Sequence, residues 1–160
     1  MLRVQKIERE DIDSLFALDQ QCFRPGIAYS KVDLRLFLRR SGDLAFSAKD
    51  SEGTLLGFVI AEAYSEEGRL VGHIVTIDVA PEKRREGIGE QLMQALLRSL
   101  IAVETEIVRL EVAVDNAAAQ GFYHRFGFTE AGRIAKFYLG TLDALVMEKN
   151  IRQSKGPRKS

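Results

Sequence analysis

One cysteine, Cys22, stands in a chain of 160 residues. That excludes an internal disulfide and a metal site built from clustered cysteines, and it suits a reducing compartment. Prolines number three and glycines thirteen, too few for a collagen-like or proline-rich fibrous chain. Net charge is missing as well, because 23 Lys+Arg balance 23 Asp+Glu. A general nucleic-acid binder should carry a basic excess instead. No stretch approaches the roughly eighteen apolar residues that a membrane-crossing helix needs. The opening residues, Met1 to Asp11, lack the apolar centre of a signal peptide. The expectation is a cytoplasmic protein with neither nucleic-acid nor membrane partners.

What is present is an ordinary folded composition, 46 % hydrophobic and 29 % charged, in a chain long enough for one domain with a sizeable core. The charge is unevenly spread. Residues 151–160 hold Arg152, Lys155, Arg158 and Lys159 with no acid, which leaves 19 bases against 23 acids in the rest, a net of −4. Residues 1–150 therefore read as the domain and 151–160 as a basic tail, expected to be disordered because it has little to bury.

Alternation over residues 2–7 marks a first strand, and Ile12, Leu15, Phe16, Leu18 and Cys22 follow helical spacing up to Pro25-Gly26. Ser30 is placed to cap a second helix carrying Leu34, Phe37 and Leu38. Three strand-like runs follow, 44–49, 55–64 and 70–79, with turns near Glu52-Gly53 and over 65–68. In the third run His73 alternates with Val71, Val75 and Ile77, which reads as one face. A long helix opens at Gly87, a strand returns over 106–114, and a short helix from Asp115-Asn116 stops at Gly127. Runs at 128–134 and 137–147 read as the last two strands. Hairpins followed by a single strand–helix–strand crossover require a mixed sheet. The class is α+β, with a mostly antiparallel sheet of about seven strands flanked by about four helices.

The segment from Ile77 to Gly89 carries the chemistry. A strand runs into a basic turn, Lys83-Arg84-Arg85, that opens a helix through Gly87 and Gly89. Unpaired amides and the dipole at a helix start favour an anion, so this is where a phosphate belongs; an ordinary surface loop is the alternative. A Walker A loop is excluded because no Gly-Lys is followed by Ser or Thr. A dinucleotide fingerprint is excluded because its third glycine is here Leu92.

Arg84-x-x-Gly87-x-Gly89 resembles the signature of the GNAT superfamily of N-acetyltransferases. Asn116-Ala117-Ala118-Ala119, Tyr123 and Gly127-Phe128 resemble its second conserved segment. Within the family, Leu110-Glu111-Val112, Gly72-His73-Ile74 and Phe137-Tyr138 are most similar to the ribosomal-protein-alanine and protein N-terminal acetyltransferases. The resemblance implies acetyl-CoA as co-substrate, no metal, and direct transfer to a primary amine, most simply a protein N-terminus. It implies Glu111 as the base with His73 assisting, the Val79 N–H as oxyanion donor, and Tyr123 as the group that protonates the leaving thiolate. Contacts to the co-substrate fall to Ile77, Asp78, Val79, Arg84, Arg85, Glu86, Gly87, Ile88, Gly89, Glu90, Asn116 and Tyr123. The acceptor falls to Phe23, Tyr29 and Tyr138. Asp78 stands where the family often has alanine, and Phe137 where relatives have a second tyrosine.

Simpler readings stand beside these: Glu111 on a solvated strand face, His73 hydrogen-bonded on an apolar face, Tyr123 in the core, Asn116 as a helix cap. Two other functions remain open, acetylation of small amines such as polyamines or amino sugars, and a non-catalytic acetyl-CoA-binding module. The chain is expected to be a monomer or a weak homodimer.

Overall fold

The computed structural model describes residues 1–152. Seven strands, β1 (Arg3–Lys6), β2 (Ala45–Lys49), β3 (Leu55–Glu66), β4 (Arg69–Val79), β5 (Ile107–Ala113), β6 (Thr129–Tyr138) and β7 (Leu142–Asn150), form one sheet in the order β1-β2-β3-β4-β5-β7-β6. Every neighbouring pair is antiparallel except β4–β5, which is parallel. Four α-helices cover the sheet: α1 (Ile12–Cys22), α2 (Lys31–Ser41), α3 (Ile88–Ala102) and α4 (Ala117–Arg125). The expected α+β class, strand count and helix count are all met.

Two cores lie on opposite faces of the sheet. On one, Ile88, Leu92, Met93 and Leu96 of α3 and Tyr123 of α4 pack on Val59, Ala61, Leu110 and Val112. On the other, Leu15 and Leu18 of α1 and Leu34 of α2 pack on Phe58 and Ile60. Local chemistry starts the helices where the sequence indicated. Ser30 Oγ accepts from the Asp33 N–H at 3.1 Å, and the Asp33 carboxylate accepts from the Ser30 N–H at 3.4 Å, a reciprocal cap on α2. Asn116 Oδ1 accepts from the Ala119 N–H at 3.1 Å and caps α4.

Two sequence expectations need correction. The last hairpin does not turn at residues 135–136. Instead β6 runs on to Tyr138, and Leu139 and Gly140, both at positive φ (57° and 68°), form a turn closed by the Thr141 N–H donating to Tyr138 O. Only glycine favours that conformation, and Leu139 gives no sign that it shares it. Secondly, His73 and Ile77 do not share a face. Ile60 pairs with Thr76 while Ala61 pairs with Ile74, so Val75 is an extra residue. This bulge reverses the alternation. His73, opposite Glu62, lies on the α1–α2 face, whereas Ile77, opposite Val59, packs toward α3. Asp78, opposite Phe58, is thereby turned toward α1.

Ile151 packs against the α3-side core, and its N–H and that of Arg152 donate to Glu106 O. The rest of the expected tail, 153–160, lies outside the described residues.

Candidate active site

The β4–β5 ladder is short. It pairs Val71–Ile107, Gly72–Val108 and His73–Arg109 and goes no further. At its last pair, just before the strands part, Arg109 is clamped to Glu148 at 2.6 Å and Glu66 at 2.9 Å, tying β5 to β7 and β3. Beyond His73 the two strands part. Ile74 to Val79 of β4 and Leu110 to Ala113 of β5 become the two walls of a cavity of about 750 Å³. Cys22, Phe23, Arg24, Ile27 and Tyr29 close it from the α1 side, and Gly89, Asn116, Phe122 and Tyr123 from the α3–α4 side.

The gap exposes backbone donors, that of Val79 among them. Ala80 N–H donates to Leu56 O at 2.8 Å, and Gly57 faces Val79 in the next register position. Backbone groups alternate edges along a strand, so the Val79 N–H and C=O point away from β3 and into the gap. The C=O accepts from Cys22 Sγ at 3.4 Å and from Arg84 Nε at 3.2 Å. The N–H faces the cavity.

Glu111 projects into this cavity from β5, and His73 Nε2 stands 2.8 Å from both of its carboxylate oxygens. Neighbouring strands place them there: His73 pairs with Arg109, and Glu111 lies two residues further along the same face. Tyr123 comes from the opposite face, its ring edge-on to Phe122 and Phe128. Burial, with the nearby Tyr138 and Asp78, raises its pKa far above the ordinary phenol value, so its hydroxyl stays protonated. Tyr29 is pushed up to about 12, by burial first and then by Asp19. Tyr138 is raised by burial and by Glu111.

At the cavity's other end, Arg85 (φ 66°) and Gly87 (φ 85°) are both left-handed, and α3 starts immediately after. Its first turn-closing bond runs from the Gln91 N–H to Gly87 O, so the amides of Ile88, Gly89 and Glu90 precede helical pairing. These amides, with Arg84 and Arg85 on the wall, fit an anionic group such as a pyrophosphate.

Residues 12–128 match the acetyltransferase (GNAT) family. The chain belongs to that family. It is similar to N-alpha-acetyltransferase 30 of Schizosaccharomyces pombe, 34 % identical over 117 residues that cover 72 % of this chain and 77 % of the yeast protein. Among solved structures, Ard1 from Thermoplasma volcanium superposes with a TM-score of 0.86 at 24 % identity, covering 93 % of this chain and 97 % of that one. The ribosomal-protein-S18-alanine N-acetyltransferase from Escherichia coli gives 0.81 at 24 % identity, with coverage of 98 % and 97 %.

Most residues singled out in this GNAT chain by sequence converge on one cavity. Its wall includes Glu111, Tyr123, Ile77, Asp78, Val79, Arg84, Arg85, Gly89, Asn116, Phe23, Tyr29 and Tyr138. His73 is not on that wall; it stands behind Glu111. Glu86, Gly87, Ile88 and Glu90 shape the loop and the start of α3 without lining the cavity. The segment of residues 23–29, expected to face the acceptor, also brings Arg24 and Ile27 to the wall, whereas sequence reasoning missed Cys22 and Asp115. Arg24 Nη2 meets Asp115 Oδ2 at 3.3 Å between two loops 91 residues apart, a pairing that no local pattern announces. Among the described residues no group of three or more His, Cys, Asp or Glu is arranged to hold a metal ion.

Proposed function

We propose that this GNAT enzyme transfers the acetyl group of acetyl-CoA directly to the α-amine of a peptide or protein N-terminus, in the cytoplasm. The observation that carries the reading is the parted β4–β5 gap, which brings Glu111 and the Val79 N–H to a single cavity lined from both sheet faces. The similarity to an N-alpha-acetyltransferase supports the same acceptor.

The chemistry follows from the groups present. An α-ammonium has a pKa of about 7.7–8.0, against about 10.4 for a lysine side chain, so a carboxylate base suffices near neutrality. Glu111 accepts that proton, and His73, 2.8 Å behind it, fixes its orientation. The freed amine attacks the thioester carbon, and the Val79 N–H donates to the oxygen as negative charge develops there. The attacking nitrogen, now cationic, gives up its second proton to water as the C–S bond breaks, and that proton restores the one Tyr123 gives to the leaving thiolate. The Tyr123 hydroxyl donates to the departing thiolate, whose pKa, about 8.5 by analogy with cysteine, makes the help useful rather than indispensable. Phe23, Tyr29 and Tyr138 border the acceptor end. Arg84, Arg85, Glu86, Gly87, Ile88, Gly89 and Glu90 form the pyrophosphate cradle, with Ile77, Asp78, Val79 and Asn116 along the path of the pantetheine arm.

The test is acetyl-CoA turnover, followed as free thiol, against short peptides that vary in their first residues. N-blocked lysine peptides, polyamines and amino sugars serve as controls. Turnover is expected with free N-termini and not with blocked ones. Turnover confined to small amines, or acetyl-CoA binding without any turnover, defeats the acceptor assignment.

The cradle makes its own prediction. A Cβ at Gly87 meets nothing within 4 Å, so alanine there pays only for a left-handed backbone, about 1–2 kcal/mol. Released by a shift of the loop, that strain should raise the KM for acetyl-CoA roughly five- to thirtyfold while kcat stays within about twofold. Steady-state kinetics with saturating peptide measures both.

A further inference from the structure

Two carboxyls meet in the core between α1 and β4. Asp19 is 0 % and Asp78 1 % exposed, and Asp19 stands one helical turn before Cys22, whose Sγ donates at 3.4 Å to the carbonyl of Val79, the residue after Asp78. Asp19 Oδ2 accepts from the Tyr29 N–H at 2.6 Å, and Asp78 Oδ1 accepts from Thr76 Oγ1 at 2.6 Å. The other oxygen of each, Asp19 Oδ1 and Asp78 Oδ2, is buried with no donor. Two carboxylates side by side, each with an orphaned oxygen, repel and lack solvation.

We propose that Asp19 and Asp78 share one proton and act as a positioning pair, holding the loop of residues 23–30 against the end of β4 that presents the Val79 amide. This rests on the acetyl-transfer reading for its functional consequence.

A single proton satisfies all four oxygens. Asp78 Oδ2–H donates to Asp19 Oδ1, Thr76 donates to Asp78 Oδ1, and the Tyr29 N–H donates to Asp19 Oδ2. The groups facing the pair favour the protonated form. Burial raises the Asp78 pKa well above the carboxylate range, and Asp19 raises it further, against the Thr76 hydroxyl and Arg84. The Cys22 thiol on α1, pushed up to about 11, and the phenols of Tyr29 on the loop and Tyr123 on α4 also face the pair; burial is the first cause of the rise in all three, so they stay uncharged beside it. Arg84 is the cation that opposes it. The link to function is short in space. Tyr29 lies beside the acceptor end, its hydroxyl within 3.5 Å of Val75 O, and Asp78 precedes Val79 in the chain. Asp78 faces α1 because of the Val75 bulge, so the bulge and the aspartate work as one device.

The sign of the pH effect follows. The folded chain keeps a proton that the unfolded chain loses in the ordinary carboxylate range. The pair's contribution to the ordered loop is therefore complete at low pH and is lost as pH rises through the raised pKa.

Three readouts test this, and the first two need no turnover, so they stand apart from any failure of the acetyl-transfer reading. Infrared spectra of the full chain with isotope-labelled aspartate should show the C=O stretch of a protonated carboxyl at about pH 7, where an ordinary aspartate is ionised, and Asp78→Asn should remove it. Its absence in the unaltered chain overturns the pair, whatever the variants do. Hydrogen exchange at the Tyr29 amide, corrected for intrinsic rate, should stay within about twofold of the unaltered chain in Asp78→Asn, whose amide can donate to Asp19, and lose at least about tenfold protection in Asp78→Ala. Equal losses in both variants, or none in either, overturn the proposal. Above the pH at which the infrared band vanishes, Tyr29 protection should fall in the unaltered chain and hold in Asp78→Asn. In kinetics, Asp78→Ala should raise the peptide KM at least about fivefold, and by a larger factor than it raises the acetyl-CoA KM. An unmoved peptide KM alongside confirmed acetylation removes the functional role.

Discussion

Replacing Glu111 by glutamine is expected to lower kcat for a free N-terminal peptide by roughly 100- to 10,000-fold at about pH 7, the range of a lost general base. Glutamine keeps the shape of the side chain and can still accept a hydrogen bond from His73 Nε2, which lies 2.8 Å from the carboxylate in the unaltered chain. The fold and the affinity for acetyl-CoA should be unchanged, because Glu111 sits on β5, away from the α3 cradle. The loss should depend on pH. With a substrate amine of pKa about 7.7–8.0, a growing fraction of peptide is already neutral as pH rises. The variant's kcat/KM should climb through that range and its deficit against the unaltered enzyme should shrink. A deficit of less than about threefold at every pH would sink the assignment of Glu111 as the base. A large deficit that does not narrow would mean that the proton is taken during attack rather than before it.

The two motifs that carry the family resemblance were legible because their physics is local. Arg84-x-x-Gly87-x-Gly89 describes a turn that needs a left-handed glycine and a helix start with free amides, and Gly87 at φ 85° ahead of α3 is that turn. Ser30 and Asn116 were likewise readable as caps, since a cap involves residues three positions apart. What could not be read depends on pairing between strands. The Val75 bulge exists because ten residues of β3 face eleven of β4 across it, and nothing in Ile74-Val75-Thr76 marks the extra residue. Simple alternation therefore put His73 and Ile77 on one face and left the direction of Asp78 undetermined. The end of the β4–β5 ladder at His73–Arg109 is equally non-local, yet it creates the cavity. For His73 the hydrogen-bonded reading and the functional one turn out to be compatible: the bond it makes is to Glu111 itself.

Leu92 offers the sharpest contrast between two ways of using a glycine-containing helix start. A dinucleotide-binding turn would place its third glycine there to let helix and strand approach closely. Here the close approach is supplied from the other side, by Gly57 of β3. A Cβ added at Gly57 would lie 2.8 Å from Asp78 O, 3.1 Å from Leu92 Cδ1 and 3.2 Å from Ile88 Cγ2. Leu92 is fully buried in the space that Gly57 leaves open, within the core that α3 shares with β3 and β5. Leu92→Gly should therefore create no new ligand site and should destabilise the fold by about 3–6 kcal/mol. Loss of a buried leucine side chain accounts for about 2–5 of this, and glycine in a helix interior for about 1 more. Urea unfolding should show a lower midpoint with the slope little changed. Leu92→Met, which keeps the volume, should cost less than about 1.5 kcal/mol. A Leu92→Gly loss below about 2 kcal/mol would mean that α3 closes onto the sheet over the vacated volume. In that case the separation of α3 from β3, and with it the position of the Gly87–Gly89 amides relative to Val79, would not be set by Leu92 against Gly57.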